Sequence, residues 1–199
     1  MTARRPAQQG THHRARRCAA ALAAVLALCP AAACSADDRP AAVPSSARFT
    51  ENGVTVDLSL GKWDGSAGTL TAVFTPERAG YHLYSLDLPP DGIDGVGRPT
   101  SLRLRGGLEQ TGRPAADSAP HPLQLPGDLP AVPVYPDGPV TVTLPVHRTA
   151  SGAATVLVGY AACSETQGCM LPVDGHPVEL TLDGGTVGFP TAAESAAAR

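Results

Sequence analysis

Positive charge is what the body of this chain lacks. Lys62 is the only lysine, and Arg4, Arg5, Arg14, Arg16 and Arg17 all fall in the first 33 residues, which hold no acid. Residues 34–199 carry ten Lys+Arg against eighteen Asp+Glu, a formal balance of −8. That balance argues against nucleic acid as a partner, because neutralising phosphates needs a basic surface. Long helices are disfavoured as well, since twenty-one Gly and twenty Pro punctuate the chain. No Gly-rich loop opens onto a helix to cradle phosphate; Gly106-Gly107 and Gly184-Gly185 read as turns. Ser, His and Asp occur without a nucleophile elbow, which argues against a hydrolase, and no cofactor is expected. Cysteine is limited to five residues, Cys18, Cys29, Cys34, Cys163 and Cys169.

The basic start has a purpose. After Arg16-Arg17, residues 18–33 run through Ala, Leu, Val, Cys and one Pro. This core is shorter than the ~20 residues of a membrane span but suits a secretory signal peptide covering residues 1–33. It closes on Ala31-Ala32-Ala33-Cys34, which resembles a bacterial lipobox with Cys34 as the lipidated residue, although Ala31 stands where Leu is usual. Ala31-x-Ala33 also suits an ordinary signal peptidase. The expected location is therefore extracytoplasmic, either anchored as a lipoprotein or secreted. Cys18 and Cys29 would leave with the leader as small apolar residues, so Cys163 and Cys169 remain as a pair in a compartment where disulfides persist.

Residues 34–50 read as a flexible tether of Pro, Ser and Ala, and 190–199 as a disordered tail. Between them, residues 51–189 form the domain. Val54, Val56, Leu58 and Leu60 alternate with polar neighbours, as do Val140, Val142, Leu144 and Val146. Further strand-like runs occupy 69–75, 81–88, 101–105, 155–162, 178–182 and 186–189. Seven to nine short strands separated by Gly/Pro turns predict an all-β, antiparallel β-sandwich. The interval 106–139 breaks the rhythm and reads as a long structureless insertion, either a lid or a surface excursion.

Cys163 and Cys169 flank Ser164-Glu165-Thr166-Gln167-Gly168, a polar turn between two strand-like runs. A hairpin there brings its shoulders within the ~4.4–6.8 Å Cα separation of a disulfide. A loop of about seven residues makes a mediocre staple, worth ~2.4 kcal/mol against ~4.3 for one of about sixty on the chain-entropy model. Spacing alone leaves a structural clasp and a redox pair both open, and favours the clasp. No Lys or Arg in the loop lowers a thiol pKa, and Glu165 nearby would raise it, as befits a guarded pair.

Gly159-Tyr160-Ala161-Ala162-Cys163-x5-Cys169-Met170-Leu171-Pro172, followed by Val178-Glu179-Leu180, resembles the signature of the N-terminal periplasmic domain of the thiol:disulfide interchange protein DsbD. Gly80-Tyr81-His82-Leu83-Tyr84-Ser85 resembles a second family segment, and Val134-Tyr135-Pro136-Asp137 leading into 140–146 a third. The resemblance implies an immunoglobulin-like sandwich in which Cys163 and Cys169 cycle between dithiol and disulfide as a thiol-disulfide oxidoreductase. Cys169 would be presented to partners and Cys163 would resolve the complex. It also implies thioredoxin-fold partners, including those serving cytochrome c biogenesis. A separate membrane electron donor resembling CcdA or DsbD would supply it, because these 199 residues hold no multi-span or thioredoxin-like part. The family's cap loop corresponds to residues 117–133, with Asp128-Leu129 as the nearest substitute for its tip and Leu123 and Leu125 as other apolar candidates. Leu171 stands where many relatives have a proline.

Supporting candidates are His82 and Tyr84, which share one strand face while Tyr81 takes the other, together with Glu165 and Tyr160. Tyr160 reads primarily as a packing residue, and Trp63 as a strand-end aromatic capping the sandwich. Cys163, Cys169, Met170 and His176 form a soft-ligand set that would suit copper(I), though their spacing matches no established metal signature. A copper(I)-binding envelope lipoprotein and a non-catalytic binding sandwich with a permanent disulfide are the two rival functions.

Overall fold

A computed structural model describes residues 45–190 except 62, 126 and 128. The signal peptide, Cys34, most of the tether, Asp128 and the tail from 191 lie outside the described residues. Within them there is no helix, and fifteen strands are present. Seven of these have six or more residues: β1 (Ser46–Glu51), β2 (Val54–Leu60), β3 (Ala67–Pro76), β5 (Ser101–Gly106), β10 (Val140–Arg148), β11 (Gly152–Tyr160) and β14 (Val173–Asp183). The other eight have two or three residues. They are β4 (His82–Leu83), β6 (Leu108–Gln110), β7 (Ala115–Ala116), β8 (His121–Leu123), β9 (Val132–Val134), β12 (Ala162–Ser164), β13 (Gly168–Cys169) and β15 (Thr186–Gly188).

The long strands form two antiparallel sheets. One runs β1-β2-β3-β10-β6, with β7 also on β10; the other runs β15-β14-β11-β5. The alternation read in the sequence is what joins them. Val54, Val56 and Leu58 of β2, and Val142 and Leu144 of β10, are fully buried, and they share one core with Val156 and Val158 of β11 and Leu182 of β14. Each such side chain contributes roughly 1.5–3 kcal/mol by leaving water. This is the expected all-β, antiparallel sandwich. The chain crosses between sheets at Gly106-Gly107, from β5 to β6. Gly106 has φ 82°, and a Cβ there would fall 2.6 Å from the Ala153 carbonyl oxygen, so only glycine fits the crossing.

Three expectations need correction. First, the tether does not extend to residue 50: Ser46–Glu51 pairs along its length with β2, and Ala47 and Phe49 pack against the core. Its Ser/Ala/Pro-rich surroundings hid a short alternation. Second, residues 106–139 are not structureless, because β6, β7, β8 and β9 all lie there. Third, the run 81–88 forms a strand only at His82–Leu83. The Tyr84 carbonyl accepts from the Thr100 hydroxyl at 2.7 Å, and the Ser85 carbonyl accepts from the Leu88 amide at 3.2 Å, turning the chain away ahead of Pro89-Pro90.

Two substitutions separate core from surface. Leu144→Ala, at a fully buried position, is expected to cost about 2–5 kcal/mol in urea unfolding of the oxidised protein. Leu129→Ala, at a side chain 41% exposed, should stay within roughly 0.5 kcal/mol of the parent.

Candidate thiol–disulfide site

β11 continues past a bulge between Val158 and Tyr160 into β12, which leaves the second sheet and pairs with β4 on one side and β13 on the other. Strand alternation then sorts the side chains. Tyr160 and Ala162 point into the main core, whereas Ala161 and Cys163 point to the opposite face. On β4 and its flanks, Tyr81 and Leu83 join the main core and Tyr84 joins the opposite cluster. His82 therefore lies on the Tyr84 face, and the two rings meet edge-on at 6.2 Å. The sharing of a face by His82 and Tyr84, with Tyr81 opposite, follows the sequence reading.

Across this small sheet, Cys169, Cys163 and His82 form one row: Cys163 is directly opposite Cys169 on one side and opposite His82 on the other. Cys163 and Cys169 are disulfide-bonded, with Cα atoms 4.0 Å apart. The loop between them is closed by Gly168, whose φ of 81° is left-handed, and by the Ser164 hydroxyl, which accepts from the Thr166 amide at 3.4 Å.

The two sulfurs differ in surroundings. Cys163 is only 5% exposed, whereas Cys169 lies at the surface. The Tyr84 hydroxyl donates to Cys163 Sγ at 3.3 Å. Burial raises the Tyr84 pKa, so the hydroxyl keeps its proton and remains a donor. Tyr84, Leu88, Val132, Val134 and Ala161 form a second apolar cluster with Cys163. Leu123, Leu125, Ile93 and Val96 pack on it half-buried. Gly97 leaves room for the Tyr84 ring, since a Cβ there would come within 2.7 Å of it. The β8–β9 hairpin thus contributes Leu123, Val132 and Val134 to the apolar cluster that holds the buried Cys163.

No protein family and no curated protein sequence matches the chain. Among solved structures, it is similar to the reduced N-terminal domain of DsbD from Neisseria meningitidis, with 15% identity and a TM-score of 0.39, covering 66% of this chain and 87% of that one. It is also similar to the GAE domain of GGA2p from Saccharomyces cerevisiae, with 9% identity and a TM-score of 0.35, covering 71% of this chain and 99% of that one. Both likenesses are too distant to carry a functional reading. That reading rests on the residues themselves.

The remaining candidates separate clearly. Glu165 is exposed on the loop and, with Gly80, His82, Asp137, Ser164 and Thr166, lines a groove of about 240 Å³ beside the disulfide. Leu125 is part of the cover, but Leu129 is exposed and outside the apolar cluster. Tyr160 faces away from the sulfurs: its hydroxyl donates to the Glu51 carbonyl at 2.9 Å and its ring meets Phe74 edge-on. Burial, and secondarily the Glu51 carboxylate, push its pKa up. Trp63 is half-buried against the core, as expected of a capping aromatic. His176 stacks on Phe49 at 3.7 Å and places Nδ1 2.7 Å from Glu51, while Met170 packs on the main core. The soft-ligand set is thus divided among separate environments.

Sequence reading missed Asp137, 3.4 Å from His82 Nδ1, and the cover from Leu88, Ile93 and Val96. The alternating Val132-Pro133-Val134 was the available signal for β9. After reduction, a small alkylating reagent followed by peptide mass spectrometry is expected to label Cys169 first, with Cys163 slower by about tenfold or more because burial keeps a thiol inert.

Proposed function

We propose that this domain carries out extracytoplasmic thiol–disulfide exchange, relaying two electrons at a time through Cys163 and Cys169. The observation that carries the reading is the asymmetry of the pair: one sulfur at the surface, the other buried beneath a hairpin and in contact with a tyrosine hydroxyl. A permanent clasp has no need of that division, whereas an exchange reaction uses it.

In the oxidising half, a partner thiolate attacks the exposed Cys169 Sγ, the 163–169 bond breaks, and Cys163 leaves as a thiolate facing the Tyr84 hydroxyl. A second partner thiolate then releases Cys169, leaving dithiol here and disulfide on the partner. In the reducing half, the Cys169 thiolate attacks a partner disulfide, and Cys163 attacks Cys169 Sγ to expel the partner as a dithiol. The partners in this reading are thioredoxin-fold proteins, fed through a membrane electron donor of CcdA or DsbD type. Leu171, two residues from Cys169 and 75% exposed, supplies an apolar contact beside the reacting sulfur. The leader supports work outside the cytoplasmic membrane, with a lipid on Cys34 as the anchor.

Trapping tests the assignment. Cys163→Ser should accumulate a mixed disulfide through Cys169 when mixed with an oxidised thioredoxin-fold protein, read as a mass shift on a non-reducing gel. Cys169→Ser should accumulate little. Accumulation only through Cys163 would overturn the order of events.

A further inference from the structure

His82 is a buried histidine with one nitrogen unaccounted for. Its side chain is 4% exposed; Nδ1 lies 3.4 Å from the Asp137 carboxylate, and Nε2 is buried with no hydrogen-bond partner. A carboxylate beside Nδ1 selects the tautomer that carries its proton there, which leaves Nε2 as a bare acceptor. In the oxidised protein no donor meets it, and the disulfide sulfurs carry no hydrogen. Yet His82 is directly opposite Cys163 in the sheet and on the same face. Residues so placed hold their Cβ atoms about 4.5–5.5 Å apart, within reach of a thiol once the disulfide opens.

We propose that His82 is the proton acceptor for Cys163: in the dithiol form the Cys163 S–H donates to Nε2, and the imidazole takes that proton as Cys163 attacks. The proposal rests on the exchange reading above and adds a residue to it. Tyr84 and His82 then have complementary duties at one sulfur. The hydroxyl donates to it, and the imidazole accepts from it. Asp137, 58% exposed at its side chain, is a positioning residue that holds the tautomer and opens a route for the proton to water through the groove. Glu165 lines the same groove, so the titratable groups around His82 are Asp137, Glu165, Tyr84 and Cys163.

The step balances as follows. In the mixed disulfide, Cys163 S–H passes its proton to His82 Nε2, its sulfur bonds to Cys169 Sγ, and the Cys169–partner S–S bond breaks with the electron pair leaving on the partner thiolate. The imidazolium then releases the proton to water. Cys163 and Cys169 end oxidised, and the partner disulfide ends as two thiols.

Reaction of the reduced protein with the aromatic disulfide dithiobis-nitrobenzoate, followed by stopped-flow absorbance, separates the steps. The first nitrothiobenzoate is released as Cys169 forms the mixed disulfide, and the second as Cys163 resolves it. His82→Phe keeps the edge-on contact with Tyr84 while removing both nitrogens. It is expected to slow the second release by at least about tenfold at neutral pH, leave the first within about twofold, and recover as pH rises and hydroxide strips the thiol. Asp137→Asn, at an exposed position, should slow the second release in the same direction by a smaller factor. An unchanged second release in His82→Phe, or equal slowing of both releases, would overturn the proposal. A wild-type protein that never gives a second release would instead sink the exchange reading itself.

Discussion

A β-strand has two faces, and in most sandwich strands only one needs cover. Here β12 and the segment around β4 are apolar on both. Tyr160, Ala162, Tyr81 and Leu83 go to the main core, and Ala161, Cys163 and Tyr84 go to the reverse side. The period of two allows no other division. The reverse side must therefore be covered, and the β8–β9 hairpin with Val132 and Val134 does so. Everything distinctive about the site follows from that second, smaller cluster: a sulfur shut away from water, a tyrosine hydroxyl against it, and a histidine pinned beside it.

The fold does not depend on the bond between the sulfurs. A disulfide closing a seven-residue loop contributes about 2.4 kcal/mol on the chain-entropy model, comparable to one buried aliphatic side chain at roughly 1.5–3 kcal/mol. The main core holds far more than one such side chain, and it is contributed by β2, β3, β10, β11 and β14. Opening the disulfide therefore removes a local restraint on the β12–β13 hairpin and leaves the sandwich standing. A bond that is cheap to lose and half exposed suits exchange better than permanence.

Much of this was readable from the sequence. The alternations at 54–60 and 140–146 became inner-face strands with few surprises, and the polar turn between Cys163 and Cys169 is the hairpin its residues predict. The strand face shared by His82 and Tyr84 was legible for the same reason: local periodicity needs no knowledge of distant neighbours. What was not legible depends on pairing. Ser46–Glu51 became a strand because β2 offers it an edge, and the short strands of 106–139 exist through partners such as β10. Tyr160 was legible in the same way. Adjacent to the cysteine pair in sequence, it reads primarily as a packing residue, and parity sends its side chain into the core. Asp137 lies far from His82 in sequence, and nothing local announces their meeting.

The most direct measurement is the reduction potential of the 163/169 pair, from equilibration in defined thiol–disulfide buffers with the two states separated by mass. The account predicts a value above about −300 mV, within the range of carriers that give and accept electrons. A value well below that, together with no transfer to any thioredoxin-fold protein, would show the bond to be a fixed clasp and contradict the account.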